Sequence, residues 1–158
     1  MTHQIVLSEN PRGRFQEGIL KNASVKPGTA LKVIDTEVSG DYSDPYLTGG
    51  AVRRQHVEAG MAGEILITTQ PGLMAGSVDA ALPVDSQVHY YIPLPGDEFK
   101  ARAKAAEVLD AGVRATFDAD GLLVASATGI LVVQEDAGTV AADAMVLVRM
   151  GVTASATV

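Results

Sequence analysis

The stretch "QVHYYIPLPGDEFKARAK", residues 87–104, decides the fold. It gathers a histidine, two tyrosines, two prolines, a Gly96-Asp97-Glu98 corner and three basic residues. Such a mixture suits the wall of an active site, and it equally suits a β-barrel turning a corner. Periodicity separates the two. Before the prolines, Val88, Tyr90 and Ile92 alternate with His89 and Tyr91; after them, Phe99, Ala101 and Ala103 alternate with Lys100 and Arg102. Residues two apart share one face of a strand. The pattern therefore predicts two strands of one barrel, with Val88, Tyr90, Ile92, Phe99 and Ala101 inward and the polar residues outward or in the turn. Asp97 and Glu98 then face opposite ways and share neither a proton nor a metal. Asp97 reads as a turn residue whose carboxylate caps nearby backbone N–H groups.

The same period extends along the chain. "FQEGILK" and "ALKVIDT" flank a Pro27-Gly28 turn, and "GEILITTQ" places Ile65 and Ile67 on one face. "AVRRQHVEAG" reads as a strand or an irregular run. "VRATF" and "LLVAS" flank "DADG" and form a hairpin with Asp120-Gly121 in the turn. "GILVVQE" and "AMVLVRM" suit buried walls. Alanine propensity in "AKAAEVLDAG" allows a turn or two of helix. Many short strands with closely spaced turns make the class all-β. The expected architecture is a small β-barrel or β-tulip-like domain with at most one short helix. Residues 1–14 form an extended arm, residues 15–151 a single β domain, and residues 152–158 a tail. The arm's short apolar run, Ile5, Val6 and Leu7, is cut off by Pro11 and Gly13. It must pair with its own domain or with a neighbour's sheet edge.

Composition narrows the function. The chain has 158 residues and no cysteine, which excludes disulfides, thiolate metal sites and cysteine nucleophiles. Neither a secretory leader nor a run of about 20 apolar residues is present, so a soluble protein made in a reducing cytoplasm, with no membrane partner, is expected. The net charge is −7. Residues 1–57 carry seven Lys/Arg and six Asp/Glu, whereas residues 58–158 carry five and thirteen. A chain with no basic face does not release counterions from phosphates, so no nucleic-acid partner is expected. The balanced front of the chain either docks on a partner or reflects ordinary solubility charge.

Catalytic signatures are sparse. No phosphate-binding glycine loop and no nucleophile elbow occurs. His3, His56 and His89 lack ligand-spaced partners, and no metal or other cofactor is expected. "DADG" lacks the later acidic positions of a calcium loop. "GDYSDPY" is the most ligand-like loop: Asp41, Tyr42, Asp44 and Tyr46 suit a sugar or a cation, or are ordinary turn residues of a solvated loop. A barrel enzyme built on His89, Tyr91 and Asp97 is a third reading.

The order of these features resembles the head decoration, or capsid cement, proteins of tailed bacteriophages. The resemblance runs over residues 18–150. It rests on the Pro95-Gly96-Asp97-Glu98 corner, the Ala-rich run after Lys100, the turn at Asp110 and Gly112, the Asp120-Gly121 tip and the closing Val148-Arg149-Met150. "GRFQEGILKNASVKPGTALKVI" is similar to that family's opening. The chain departs from the family at Asp110-Ala111-Gly112, where an apolar-Gly-Asp step is common. The resemblance implies a non-enzymatic virion protein on the outer capsid surface, bridging neighbouring major capsid subunits. Under it, Ile5, Val6 and Leu7 would add a strand to a neighbouring subunit or the capsid, and Arg12 and Arg14 would meet shell carboxylates. Self-association, as a trimer first and a dimer second, would cover exposed strand edges. The alternative is a small-ligand or carbohydrate-binding β-domain using the loop at Asp41, Tyr42, Asp44 and Tyr46.

Overall fold

In the computed structural model, which describes residues 5, 13–39, 52–69 and 78–151, the corner at residues 93–98 passes the chain from a closed barrel to a separate sheet. The described residues form ten strands and no helix: β1 (Arg14–Leu20), β2 (Ala30–Ser39), β3 (Val52–Ala59), β4 (Leu66–Thr68), β5 (Gln87–Ile92), β6 (Glu98–Arg102), β7 (Arg114–Phe117), β8 (Leu123–Ala125), β9 (Leu131–Val133) and β10 (Met145–Met150). The barrel closes in the order β1-β3-β2-β4-β5, and the second sheet runs β6-β10-β9-β7-β8. The all-β architecture is as expected. The placement of residues 87–104 in one barrel is corrected, because period two reports which side chains are buried and not which strands pair. Val88, Tyr90 and Ile92 fill the barrel, while Phe99 and Ala101 belong to another core.

The chemistry of the corner explains the switch. Pro93 and Pro95 have no N–H with which to extend the β1–β5 ladder. Gly96 takes φ of 94°, a conformation that costs glycine little. Its N–H bonds Met150 O at 2.8 Å, and Met150 N–H bonds Asp97 O at 2.9 Å, which starts the β6–β10 ladder.

Inside the barrel, β1 runs antiparallel to β5 from Arg14↔Ile92 to Ile19↔Gln87. Closure comes from a short parallel contact of β1 with β3, Ile19↔His56 and Leu20↔Val57. The "AVRRQHVEAG" run is thus a strand. Its ladder with β2 continues to Ser39↔Val52, with a bulge between Val33 and Asp35, so residues 40–51 connect the two strands of this hairpin. β2 meets β4 only at Ala30 and Leu31. The outer part of the β2–β3 hairpin is therefore a two-stranded ribbon running on past the barrel.

One wall serves both cores. Leu66 and Leu31 point into the barrel, whereas Ile65, Ile67 and Ala30 face the second sheet against Phe99, Ala101, Phe117 and Val148. The two layers are also stitched by backbone hydrogen bonds. Ala30 N–H donates to Gly121 O and Arg102 N–H to Gly28 O, each at 2.9 Å. Gly121 sits at the tip of the expected β7–β8 hairpin, where the Asp118 carboxylate accepts from the N–H groups of Asp120 and Leu122, each at 3.0 Å. A Cβ on Gly121 would stand 2.2 Å from Ala30 O, so the contact needs glycine.

Alanine propensity at residues 103–112 does not produce a helix. Ala106 has φ of 67°, and its N–H bonds Val140 O at 2.9 Å. Leu109 N–H bonds Gly138 O, and Ala137 N–H bonds Leu109 O, each at 2.9 Å. Leu109 is fully buried. Tertiary pairing and core burial override a weak local preference here.

Candidate functional site

The richest polar constellation lies where the arm joins the barrel. The buried Asp97 carboxylate gathers three donors on Oδ2: Tyr91 Oη–H at 2.5 Å, Leu94 N–H at 2.9 Å and Gly13 N–H at 3.0 Å. Gly13 N–H is shared with Tyr91 Oη at 2.8 Å. The expected capping role of Asp97 is realised at Leu94. Its expected place on an outer or solvated surface is corrected, since it is 1% exposed. Tyr91 is likewise fully buried, although alternation places it on the outward face. Phe15, its cross-strand partner, covers it with ring centroids 4.8 Å apart. Burial, reinforced by the hydrogen bond to Asp97, pushes the Tyr91 hydroxyl up to about 12. Gly13 is fixed by space as well as by bonds, because a Cβ there would lie 1.9 Å from Ile92 O.

Around this root, the surface is mixed. Phe15 is 59% exposed and Leu94 46%. Arg14, one of the expected contact residues, is exposed and stands 3.9 Å from Glu64. With Gly13, Ile92 and Leu94 these two charges line an open cleft of about 340 Å³. Below it in the barrel, the Tyr90 hydroxyl meets Gln16 at 3.2 Å and also bonds Gln55. Burial raises the Tyr90 hydroxyl above its ordinary value, and the nearby Glu64 charge adds to this.

Ile5, another expected contact residue, is used within its own chain. It is 2% exposed in the core of the second sheet, and its carbonyl accepts from Lys100 N–H at 2.7 Å. Of the two options for the arm's apolar run, pairing with its own domain is the one this residue takes. β6 is an edge strand, and its outward N–H groups at Lys100 and Arg102 go to Ile5 and to Gly28. Val6, Leu7 and Arg12 lie outside the described residues. So do Asp41, Tyr42, Asp44 and Tyr46, which fall in the segment connecting β2 to β3.

Of the three residues in the enzyme reading, Tyr91 and Asp97 come together. His89 Nδ1 instead stands 3.5 Å from Glu17 on the outer barrel face. Among the described residues, no three His, Asp or Glu side chains group as a metal site.

Sequence reasoning missed Arg102. Alternation with Ala101 and Ala103 marks it as outward, yet it is 1% exposed. Its guanidinium donates to Pro27 O at 3.0 Å, to Asp143 O at 2.8 Å and to Val78 O, with Asp79 at 3.4 Å. The outward face of β6 is covered at this point by the Pro27 turn and by the chain at residues 78 and 143. Beside it, Arg102, Lys26, Asp143 and Asp120 border a second cleft of about 350 Å³. The Lys26–Asp143 pair at 2.6 Å lies across its rim and holds the Asp143 carboxyl below its ordinary value.

No family model and no curated protein sequence matches the chain.

Proposed function

We propose that this chain is a structural virion protein that decorates the outer surface of a phage capsid and cements neighbouring major capsid subunits. The reading rests on the sequence resemblance. The observation that best supports it is the construction of the arm root: an amino-terminal segment fixed at Gly13 beside exposed Phe15, Leu94 and Arg14. Exposed apolar residues ringed by charge are what a partner surface covers. Val33 and Ile34, at the bulge of the β2–β3 ribbon, are 42% and 43% exposed and offer a second foothold. Two modest footholds per copy are enough when many copies bind one lattice, because the second contact forms at high effective concentration. A protein that binds only the expanded shell stabilises that shell by mass action.

The test is co-sedimentation of the purified chain with emptied, expanded capsids, with unexpanded shells as the control. Binding to the expanded form alone, weakened by Arg14→Glu and by Phe15→Ala, is expected. No binding to the expanded capsids of any tailed phage tested, or equal binding to unexpanded shells, would sink the reading. Saturable affinity for a glycan or calcium that is lost in Tyr46→Ala or Asp44→Ala would favour the ligand-binding alternative.

A further inference from the structure

Asp120-Gly121 is the single Asp-Gly pair of the chain, and no Asn-Gly pair occurs. In such a pair the backbone nitrogen of the glycine can attack the side-chain carbonyl carbon of the aspartate, because no glycine side chain stands in the way. A C–N bond forms, water leaves, and a five-membered succinimide results. Hydrolysis at either of its carbonyls takes the water back and yields aspartate or isoaspartate. Isoaspartate is an isomer whose main chain runs through Cβ and is one carbon longer. The reaction consumes no oxidant and no second reagent.

The two halves of this pair sit in opposite surroundings. Asp120 is exposed and borders the open cleft beside Arg102. Among the described residues its carboxylate has no hydrogen-bond or ion-pair partner. Asp118 differs: it holds the N–H groups of Asp120 and Leu122 and pairs with Lys104 at 3.2 Å. Gly121 is buried. Its N–H donates to Asp118 O at 3.1 Å, and its carbonyl accepts from Ala30 N–H at 2.9 Å. A Cβ on it would meet Ala30 O, and also Thr29 Cγ2 at 2.9 Å and Gly60 N at 3.0 Å. The electrophile is thus open to water, while the nucleophile is engaged for as long as the tip is seated. Attack requires Gly121 to leave its seat, and local opening of a tip costs less than global unfolding. Afterwards the tip does not fit. A seat with no room for one carbon on Gly121 leaves no slack for a main chain one carbon longer beside it.

We propose that Asp120-Gly121 is a site of spontaneous isoaspartate formation and acts as a one-way latch on the joint between the barrel and the second sheet. The seated tip suppresses the reaction, each opening permits it, and the isomerised tip no longer closes on Ala30. The latch belongs to the single chain and does not depend on capsid binding.

The full-length chain and a synthetic peptide of residues 114–125 are incubated side by side at neutral pH. Isoaspartate at residue 120 is quantified by proteolysis and electron-transfer fragmentation. It is expected in the folded chain at a rate at least about tenfold below that of the peptide. Asp118→Ala, which frees the two N–H groups bracing the tip, is expected to close most of that gap while leaving the rate in the peptide unchanged. The isomerised chain, separated by ion exchange, is expected to exchange its Ala30 amide hydrogen at least about tenfold faster than the unmodified chain. No isoaspartate at residue 120 once the peptide is fully converted overturns the proposal, as does a rate in the chain equal to that in the peptide. An Ala30 amide equally protected before and after isomerisation also overturns it, as does a rate indifferent to Asp118→Ala. Should that variant fail to fold, urea below the wild-type unfolding midpoint loosens the tip instead, and a rate indifferent to urea overturns the latch.

Discussion

Replacing Tyr91 with phenylalanine tests the arm root in a way that ordinary loss of packing does not imitate. The ring and its tilted contact with Phe15 remain, and only the hydroxyl goes. That hydroxyl donates to Asp97 at 2.5 Å, a hydrogen bond to a charged acceptor worth about 1.5–3 kcal/mol. It also accepts from Gly13 N–H, but that donor already points at Asp97 Oδ2 at 3.0 Å and keeps a partner. The expected loss at pH 8 is therefore about 2 kcal/mol. The pH dependence follows from the hydroxyl's displacement from 10.0 to about 12. A group raised in the folded state contributes stability that is complete below its unfolded value and is lost as pH climbs through the folded one. The wild type thus loses about 1.4 kcal/mol of this contribution by pH 11, and about 2.7 kcal/mol in total above pH 12. Phenylalanine has nothing to titrate. The stability gap between the two proteins is expected to narrow from about 2 kcal/mol at pH 8 to about 0.6 kcal/mol at pH 11. Urea unfolding of both proteins at the two pH values measures it, and every other titrating group cancels in the difference. A gap under about 0.5 kcal/mol at pH 8, or one of equal size at pH 11, would refute the reasoning.

Other substitutions probe the joints of the fold. Arg102→Met keeps the aliphatic packing but strands the carbonyls of Pro27, Val78 and Asp143, and a loss of about 3 kcal/mol by urea titration is expected. Gly121→Ala and Gly96→Ala both place a side chain at positive φ, 74° and 94°, but only the first drives a Cβ into Ala30 O. Gly96→Ala should cost about 1–2 kcal/mol and Gly121→Ala clearly more, so equal melting temperatures would show that the stitch at Ala30 is not rigid. Ala106→Gly should raise stability by roughly 0.5–1 kcal/mol, because alanine is held there at φ of 67°. A fall in melting temperature would count against that backbone geometry. Asp97→Asn, combined with Tyr91→Phe in a double-mutant cycle, should show coupling of about 1.5 kcal/mol, and simple additivity would mean that the two side chains act apart.

Burial was legible in the sequence where a strand has one dry face. Val88, Tyr90, Ile92, Phe99 and Ala101 are all buried as alternation predicts. The Asp120-Gly121 tip was legible because its turn chemistry is local. What alternation could not carry is what lies over the other face. Tyr91 and Arg102 alternate as outward residues, yet each is sealed by a segment remote in sequence: Gly13 and Phe15 over Tyr91, Pro27 and Val78 over Arg102. Pairing partners were equally hidden. β5 and β6 are consecutive strands with similar patterns, and only the missing N–H groups of Pro93 and Pro95 hint that the ladder ends between them. Of the expected contact residues, Ile5 carried an open choice that its apolar character did not resolve, since a core slot and a partner's edge both select isoleucine.

The corner and the arm turn out to be one mechanical element. Residues 93–98 carry the chain from barrel to second sheet, and the arm crosses between the same two layers, from Gly13 at the barrel to Ile5 in the second core. Asp97 holds both crossings, through Leu94 on the first and Gly13 on the second. Its carboxylate is buried, so donors such as Gly13 and Leu94 N–H help offset its desolvation, and withdrawing either leaves the charge less compensated. Pulling the arm away from Gly13 therefore weakens the corner, and straightening the corner releases the arm.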